Sequence, residues 1–211
     1  MIAGELQHEL EIALDLAQQA GLLIMDYYQT ALTVELKDGE EPVTAADRAA
    51  DSLIAAGLHA AFPDDGLLTE ESEDDLSRLA KDRVWIVDPL DGTTEFIAKN
   101  GEFSVQIALA VRGRPVLGVV YQPTRQQFFY AVEGYGARSL RNGQTTPLHV
   151  STESDLARMC LVASRSHYSG LVEAARQTFG IRNVTRMGSV GLKVGMVARG
   201  LCDLYLATNV A

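Results

Sequence analysis

Two cysteines, one tryptophan and six prolines in 211 residues leave little room for several structural classes. A disulfide-stapled scaffold needs more thiols, and neither Cys160 nor Cys202 has a histidine or second cysteine at metal-ligand spacing. Both lie in apolar surroundings, Cys160 within Met159-Cys160-Leu161-Val162, and both are expected as buried, reduced thiols. No stretch approaches the roughly 18 uninterrupted apolar residues that a membrane helix needs. The first residues carry Glu5, Glu9, Glu11 and Asp15 where an export signal would be basic and then apolar, so a cytoplasmic protein outside the membrane is expected. Positive charge is scarce too: 18 lysines and arginines face 28 aspartates and glutamates, a formal net charge of −10. Such a surface repels a nucleic-acid duplex or an acidic membrane. A small phosphorylated partner is compatible with it only where positive charge is supplied locally, and bound divalent cations are a ready source.

What is present is a hydrophobic content of 47%, enough to close a sizeable core as one large domain or two small ones. Leu6, Leu10, Ala13, Leu14, Ala17, Gly21, Ile24 and Tyr28 recur at steps of three and four, which predicts a long amphipathic helix. A charged loop from Glu35 to Pro42 follows, and Thr44-Ala45-Ala46-Asp47 opens a second helix running to about Ala61. Leu67-Leu68-Thr69 reads as a short strand, and 72–82 as a polar, exposed stretch. The unbroken apolar run Val84-Trp85-Ile86-Val87 predicts a buried strand that delivers Asp88 at its end. Phe103, Val105, Ile107, Leu109 and Val111 alternate with less apolar neighbours, and strands at 116–121 and 127–132 continue an antiparallel meander. Arg112-Gly113-Arg114 and Arg141-Asn142-Gly143 mark its tight turns. After about Val150 strands (159–163, 184–187, 203–206) alternate with helices (171–179, 189–199). An α+β unit over 1–150 with an α/β unit over 151–211 packed on it is the expected organisation.

Candidate chemistry sits where the 84–87 strand ends. Asp88 and Asp91 flank a proline-containing turn, so two carboxylates and the Leu90 carbonyl can converge on one point. Carboxylates held that close need a cation between them, or one of them takes up a proton. A helix starting at Gly92-Thr93-Thr94 would aim free backbone N–H groups at an anion beside that cation. Of Glu70 and Glu71, neighbours on a strand, only one can face such a site, and Glu70 is the choice. Each feature also has a plainer reading: a capped Asp-Pro turn, a solvated acidic loop at Glu70, or a helix-start acid at Asp47.

Taken together, Trp85-Ile86-Val87-Asp88-Pro89-Leu90-Asp91-Gly92-Thr93-Thr94-Glu95-Phe96 resembles the first signature of the inositol monophosphatase family, Trp-x-x-Asp-Pro-x-Asp-Gly-Thr-x-x-Phe. Glu70-Glu71 is similar to the family's upstream Glu-Glu, and Pro42-Val43-Thr44-Ala45-Ala46-Asp47 to its Val-Thr-x-x-Asp segment. The resemblance covers nearly the whole chain. It implies the layered αβαβα sandwich of the inositol monophosphatase and fructose-bisphosphatase type, with α+β and α/β parts. It further implies magnesium held by Glu70, Asp88, Leu90 and Asp91, with Asp47 and Thr93 orienting the attacking water and Glu70 taking part in catalysis. Gly92 and Thr93 would hold the phosphoryl group.

Within that family, Phe96-Ile97-Ala98-Lys99-Asn100-Gly101-Glu102-Phe103-Ser104-Val105 and Ser164-Arg165-Ser166-His167 are similar to stretches of bisphosphate nucleotidases. By that resemblance Ser164 and His167 would contact a nucleotide and Lys193 its second phosphate, making the 3'-phosphate of adenosine 3',5'-bisphosphate the expected target. Gly188-Ser189-Val190-Gly191-Leu192-Lys193 is one residue longer than the nucleotidase Gly-Ser-Ser-x-Lys stretch. Family members also carry a second signature, Trp-Asp-x-Ala-Ala, and no Trp-Asp pair occurs here. A shortened α/β part with an uncovered edge strand is therefore expected, completed by a partner or left as a truncated product. The rival readings are an inositol monophosphatase or broad sugar phosphatase, and a truncated, catalytically weak metal-binding protein. The resemblance implies a monomer or homodimer.

Overall fold

The computed structural model describes residues 6–29, 34–36 and 42–207. Two helices, α1 (Gln7–Gln29) and α2 (Ala45–Ala61), pair along their apolar faces. Alanines 13, 17 and 20 of α1 and 46 and 50 of α2 are fully buried, and small side chains of this kind let two helices approach closely. A short antiparallel ribbon, β1 (Val34–Leu36) with β2 (Pro42–Thr44), leads into α2. The rest of the predicted charged loop, 37–41, lies outside the described residues, as does 208–211.

The helix pair covers one face of a seven-stranded sheet whose strands run in chain order: β3 (Gly66–Thr69), β4 (Arg83–Asp91), β5 (Ser104–Val111), β6 (Arg114–Gln122), β7 (Gln127–Val132), β8 (Gly136–Arg141) and β9 (Gln144–Pro147). Only the β3–β4 pair is parallel; every later neighbour is antiparallel, as tight hairpins require. Both hairpin turns read from the sequence are present, with positive φ at Arg112 and Gly113 and again at Asn142 and Gly143. Period-two alternation sends Val105, Ile107 and Leu109 of β5 and Leu117, Val119 and Tyr121 of β6 into the core beneath α1 and α2. The polar stretch before β4 contains a single 3-10 turn at Ser77–Ala80.

A second, three-stranded parallel sheet is built from β10 (Cys160–Ser164), β11 (Asn183–Met187) and β12 (Leu204–Tyr205), with β10 central. Helix α5 (Val190–Ala198) is wedged between the sheets. A side chain at Gly191 would meet Val120, Ser104 and Gln106, and one at Gly195 would meet Phe129, all on the face of the large sheet turned away from α1. Helix α4 (Gly170–Thr178) closes the outer side through Val172, which packs with Leu161, Ala163 and Ile181. Helix pair, large sheet, α5, small sheet and α4 thus follow one another as five layers, the expected αβαβα sandwich. Cys160 and Cys202, 42 residues apart, come together where β10 begins and β12 approaches, with Sγ atoms 2.7 Å apart. Burial, then the Cys160 contact, pushes the Cys202 thiol up to about 12 and keeps it protonated.

Strand β4 differs from its expected form. It does not stop at Val87 but continues to Asp91, with Asp88 opposite Gln106, Asp91 opposite Ser104, and the register shifted between them. Pro89 cannot donate to the ladder, so a bulge, not a free turn, absorbs it. The start of β4 is held by an ion-pair network. Arg83 donates to Asp65 and Glu9, both at 2.9 Å, and Trp85 Nε1 donates to Asp65 at 2.9 Å.

The packing of α1 on the sheet is tightest at Gly21, where an added methyl carbon would lie 2.8 Å from Cδ1 of Tyr121 and 3.1 Å from Cγ of Pro123. The Tyr121 ring is stacked on Phe128, so neither obstacle can swing aside. Gly21→Ala gains about 1 kcal/mol of helix propensity and loses about 1–3 kcal/mol to overpacking. A net loss of stability in urea unfolding is expected; a variant more stable than the parent would contradict this packing.

Candidate active site

The two sheets meet at a cavity of about 340 Å³. Its floor comes from the large sheet: Glu70 follows β3, Asp88, Leu90 and Asp91 belong to the bulged end of β4, and Gly92, Thr93, Thr94 and Glu95 lead into the short helix α3 (Thr93–Ile97). The opposite wall comes from the small sheet and α5. It consists of Ser164 at the end of β10 and His167 beyond it, Ser189, Val190 and Lys193 at the start of α5, and Tyr205 to Ala207 at β12. Side chains at the carboxyl ends of parallel strands, here β10 and β12, face a crevice of the kind where ligands bind in open α/β sheets.

Asp88 sits at the centre of the charge problem. Burial first, and then the charges of Asp91, Glu70 and Asp47, hold its carboxyl well above the usual carboxylate range, and it shares a hydrogen bond with Glu70. Its Oδ1 also accepts the Leu90 amide at 3.1 Å, which fixes the bulge and leaves the Leu90 side chain in the core while its backbone lines the cavity. Asp47 is buried on α2, and its charge reaches Asp88 across the helix–sheet junction. Three acids from three stretches of chain, Asp47, Glu70 and Asp91, therefore act on the one carboxyl of Asp88.

Asp91 is oriented by the opposite wall. Its Oδ2 accepts Gln106 Nε2 at 2.5 Å, the Ser189 hydroxyl at 2.5 Å and the Gly191 amide at 2.9 Å. Because the Ser189 proton goes to Asp91, the Ser189 oxygen is left to accept from Ser104 Oγ at 2.9 Å and Leu192 N at 3.1 Å. Ser189 holds φ at 53°, a region costly for a non-glycine residue, and this hydrogen-bond set over-determines it. With Oδ2 saturated, Oδ1 is the Asp91 oxygen left to take a further ligand. Among the described residues, no three acidic, thiol or imidazole groups already enclose an ion-sized point. Glu70 and Asp88 instead share their hydrogen bond.

Lys193 lies one turn into α5 and is almost fully buried, with Nζ 5.3 Å from the centre of the Tyr205 ring. Burial lowers its ammonium, while Asp91, Glu95 and Glu102 pull the other way. Ser189 caps the helix in the Gly188–Lys193 stretch, and Lys193 lines the cavity. The His167 amide donates to Ser164 Oγ at 3.0 Å, making the Ser164–His167 turn a closed unit. Glu70, Asp88, Leu90, Asp91, Gly92, Thr93, Ser164, His167 and Lys193 thus line one cavity, and Asp47 stands behind it. Sequence reasoning did not single out Glu95, Ser189 or Tyr205. Glu95 is buried on a helix of only five residues, and its place inside the Trp85–Phe96 signature was the available signal. Ser189 matters through Asp91, 98 residues earlier, and Tyr205 through the same residue at a still greater separation, and no local pattern points to them.

Comparison with known proteins agrees with this fold. Residues 5–210 match the model of the inositol monophosphatase family. The 3'(2'),5'-bisphosphate nucleotidase CysQ of Salmonella typhimurium is 41% identical over 199 residues, covering 93% of this chain and 79% of that protein. Among solved structures, CysQ of Bacteroides thetaiotaomicron superposes with a TM-score of 0.79 at 33% identity, covering 95% of this chain and 80% of that one. The extragenic suppressor protein suhB of Bartonella henselae superposes with a TM-score of 0.81 at 31% identity, covering 94% and 78%. The chain is thus a phosphoric monoester hydrolase and belongs to the inositol monophosphatase family.

Proposed function

We propose that this protein hydrolyses the 3'-phosphate of adenosine 3',5'-bisphosphate in a magnesium-dependent reaction. The observation that carries the reading is the buried Asp88, bonded to Glu70 and crowded by Asp91 and Asp47, across one cavity from Lys193, Ser164 and His167. The similarity to the two CysQ proteins supports the choice of ester.

The donor set fits magnesium. Carboxylates and a backbone carbonyl are hard oxygen ligands, and crowded acids with a saturated Asp91 Oδ2 lack only a compensating positive charge. Glu70, Asp88, Asp91 and the Leu90 carbonyl would hold it. Bound there, the metal supplies the positive charge that acidifies water and stabilises developing negative charge on the ester.

The chain's own groups do the rest. Thr93, backed by Asp47, orients the attacking water, while the backbone N–H groups of Gly92 and Thr93 hold phosphoryl oxygens in line with the leaving group. Helix α3 has only five residues, so these amides act as individual donors and its macrodipole adds little. Lys193 faces the second phosphate, and burial among Asp91, Glu95 and Glu102 fits that role: its positive charge is held ready in a dry wall. Ser164 and His167 contact the nucleoside. Water attacks phosphorus directly, and no covalent phosphoenzyme forms. The substrate in this reading is a small phosphate ester in the cytoplasm and the enzyme a monomer or homodimer; no helix among the described residues is long and apolar enough to cross a membrane.

Asp88→Asn is expected to lower phosphate release by about a thousandfold or more, the equivalent of about 4 kcal/mol of barrier. Magnesium-dependent turnover near the parent rate would refute the assignment. Thr93→Ala should lower kcat by about a hundredfold with calorimetric magnesium affinity unchanged, and loss of magnesium binding in that variant would remove Thr93 from the water-orienting role. The parent should show a kcat/KM at least about tenfold higher for adenosine 3',5'-bisphosphate than for inositol monophosphate, since the second phosphate adds a buried charge contact. Equal or reversed rates would favour the inositol or sugar phosphatase reading.

A further inference from the structure

The two stretches similar to bisphosphate nucleotidases, that around Glu102 and Ser164-Arg165-Ser166-His167, lie 63 residues apart between Glu102 and Arg165. In the structure they grip each other. Arg165 donates from Nε to Glu102 Oε2 at 2.7 Å and from Nη2 to Glu102 Oε1 at 2.6 Å, a two-pronged pair. Glu102 Oε2 also accepts the Gly188 amide at 2.7 Å, at the turn that launches α5. The Ser166 hydroxyl donates to the buried carboxylate of Glu95, and the Arg165 amide donates to Met187 O at 3.1 Å. Arg165, Ser166 and Glu102 themselves do not line the cavity, but the residues that flank them, Ser164 and His167, do.

From this geometry we infer that Glu102 and Arg165, with Glu95 and Ser166 beside them, are positioning residues for substrate selection. They clamp the wall bearing Ser164, His167 and Lys193 onto the floor bearing Asp88 and Asp91. Resting on the nucleotidase reading, the clamp decides how well the enzyme takes an ester with a second anionic group reaching that wall, and is indifferent to a small ester that occupies the floor alone. The junction has no slack. A side chain at Gly188 would lie 2.7 Å from both the Glu102 carbonyl oxygen and Glu95 Cδ, so the turn before α5 already presses on the Glu102 backbone and the Glu95 side chain. Burial alone would raise Glu102, yet the bonds from Arg165 and Gly188 outweigh it and keep the carboxyl below its ordinary range, as a permanently ionised clamp requires. A partly exposed ion pair contributes little to global stability, and Arg165 is 44% exposed, so its effect is local.

The test compares the parent with Arg165→Gln, Glu102→Gln and the double variant on adenosine 3',5'-bisphosphate and 4-nitrophenyl phosphate. Each single variant should raise KM for the bisphosphate about five- to tenfold with kcat within about twofold, and leave the small ester unchanged. The double variant should be no worse than the worse single, the mark of one shared interaction. Arg165→Lys, which keeps the charge but loses the fork, should recover only part of the loss. Amide hydrogen exchange over 164–168 and 187–190 should quicken in both single variants. Equal KM changes for both esters, additive losses, or unchanged exchange would overturn the clamp. If the parent itself shows no preference for the bisphosphate, the nucleotidase reading fails, and the exchange measurement still decides whether the clamp exists.

Discussion

Burying Asp88 among Glu70, Asp91 and Asp47 costs free energy that only a proton or a cation can offset, and the rest of the molecule is arranged to hold that crowding in place. The bulge in β4 brings Asp88 and Asp91 to the same end of the sheet, and the Leu90 amide locks Asp88 into it. Strand β3 runs parallel to β4 for four residue pairs, which sets Glu70 level with Asp88, and its amide donates to Val87 O at 3.2 Å. Helix α2 contributes Asp47 from its first turn while its alanines press into the core. The rigidity of the helix–sheet core prevents the carboxylates from relaxing apart.

The second sheet answers the first with complementary groups. Asp91 is turned by Ser189 and Gly191, Glu102 by Arg165 and Gly188, and Glu95 by Ser166. Three acids on the large-sheet side are thus each engaged by donors from the small-sheet side, so the wall and floor of the cavity are registered by the same charges that line it. A functional site built in this way trades intrinsic stability for a prepared binding surface.

Much of this was legible in the residues. Helix α1 declared itself through Leu10, Ala13, Ala17 and Ile24, and β5 through the strict alternation of Val105, Ile107 and Leu109, because burial of one face imposes those periods. Asn142-Gly143 marked its hairpin because few residues other than glycine and asparagine accept the required positive φ. Asp88, Asp91 and Glu70 were legible as candidates from the residues themselves, whereas Ser164, His167 and Lys193 were named only through the resemblance to nucleotidase stretches. Where the reading failed, the cause was long range. Pro89 read as a turn because its partner strand, which keeps the ladder going past it, lies 15 and more residues later. The approach of Cys160 to Cys202 follows from β10 and β12 being parallel neighbours, a fact of topology and not of spacing. Likewise Glu95–Ser166 and Glu102–Arg165 pair residues 71 and 63 apart, and neither motif alone says which side chain meets which.

The central claim is that crowded carboxylates at the end of β4 are compensated by a divalent cation, and thermal unfolding of the parent and of Asp88→Asn, each with and without magnesium, tests it most directly. Without metal, the variant should melt higher than the parent, because it removes a buried like-charge conflict. With magnesium at a hundred times its dissociation constant, the parent should gain about 2.7 kcal/mol and overtake a variant that gains nothing. A parent whose melting temperature ignores magnesium, or a variant that responds to it equally, would contradict the account.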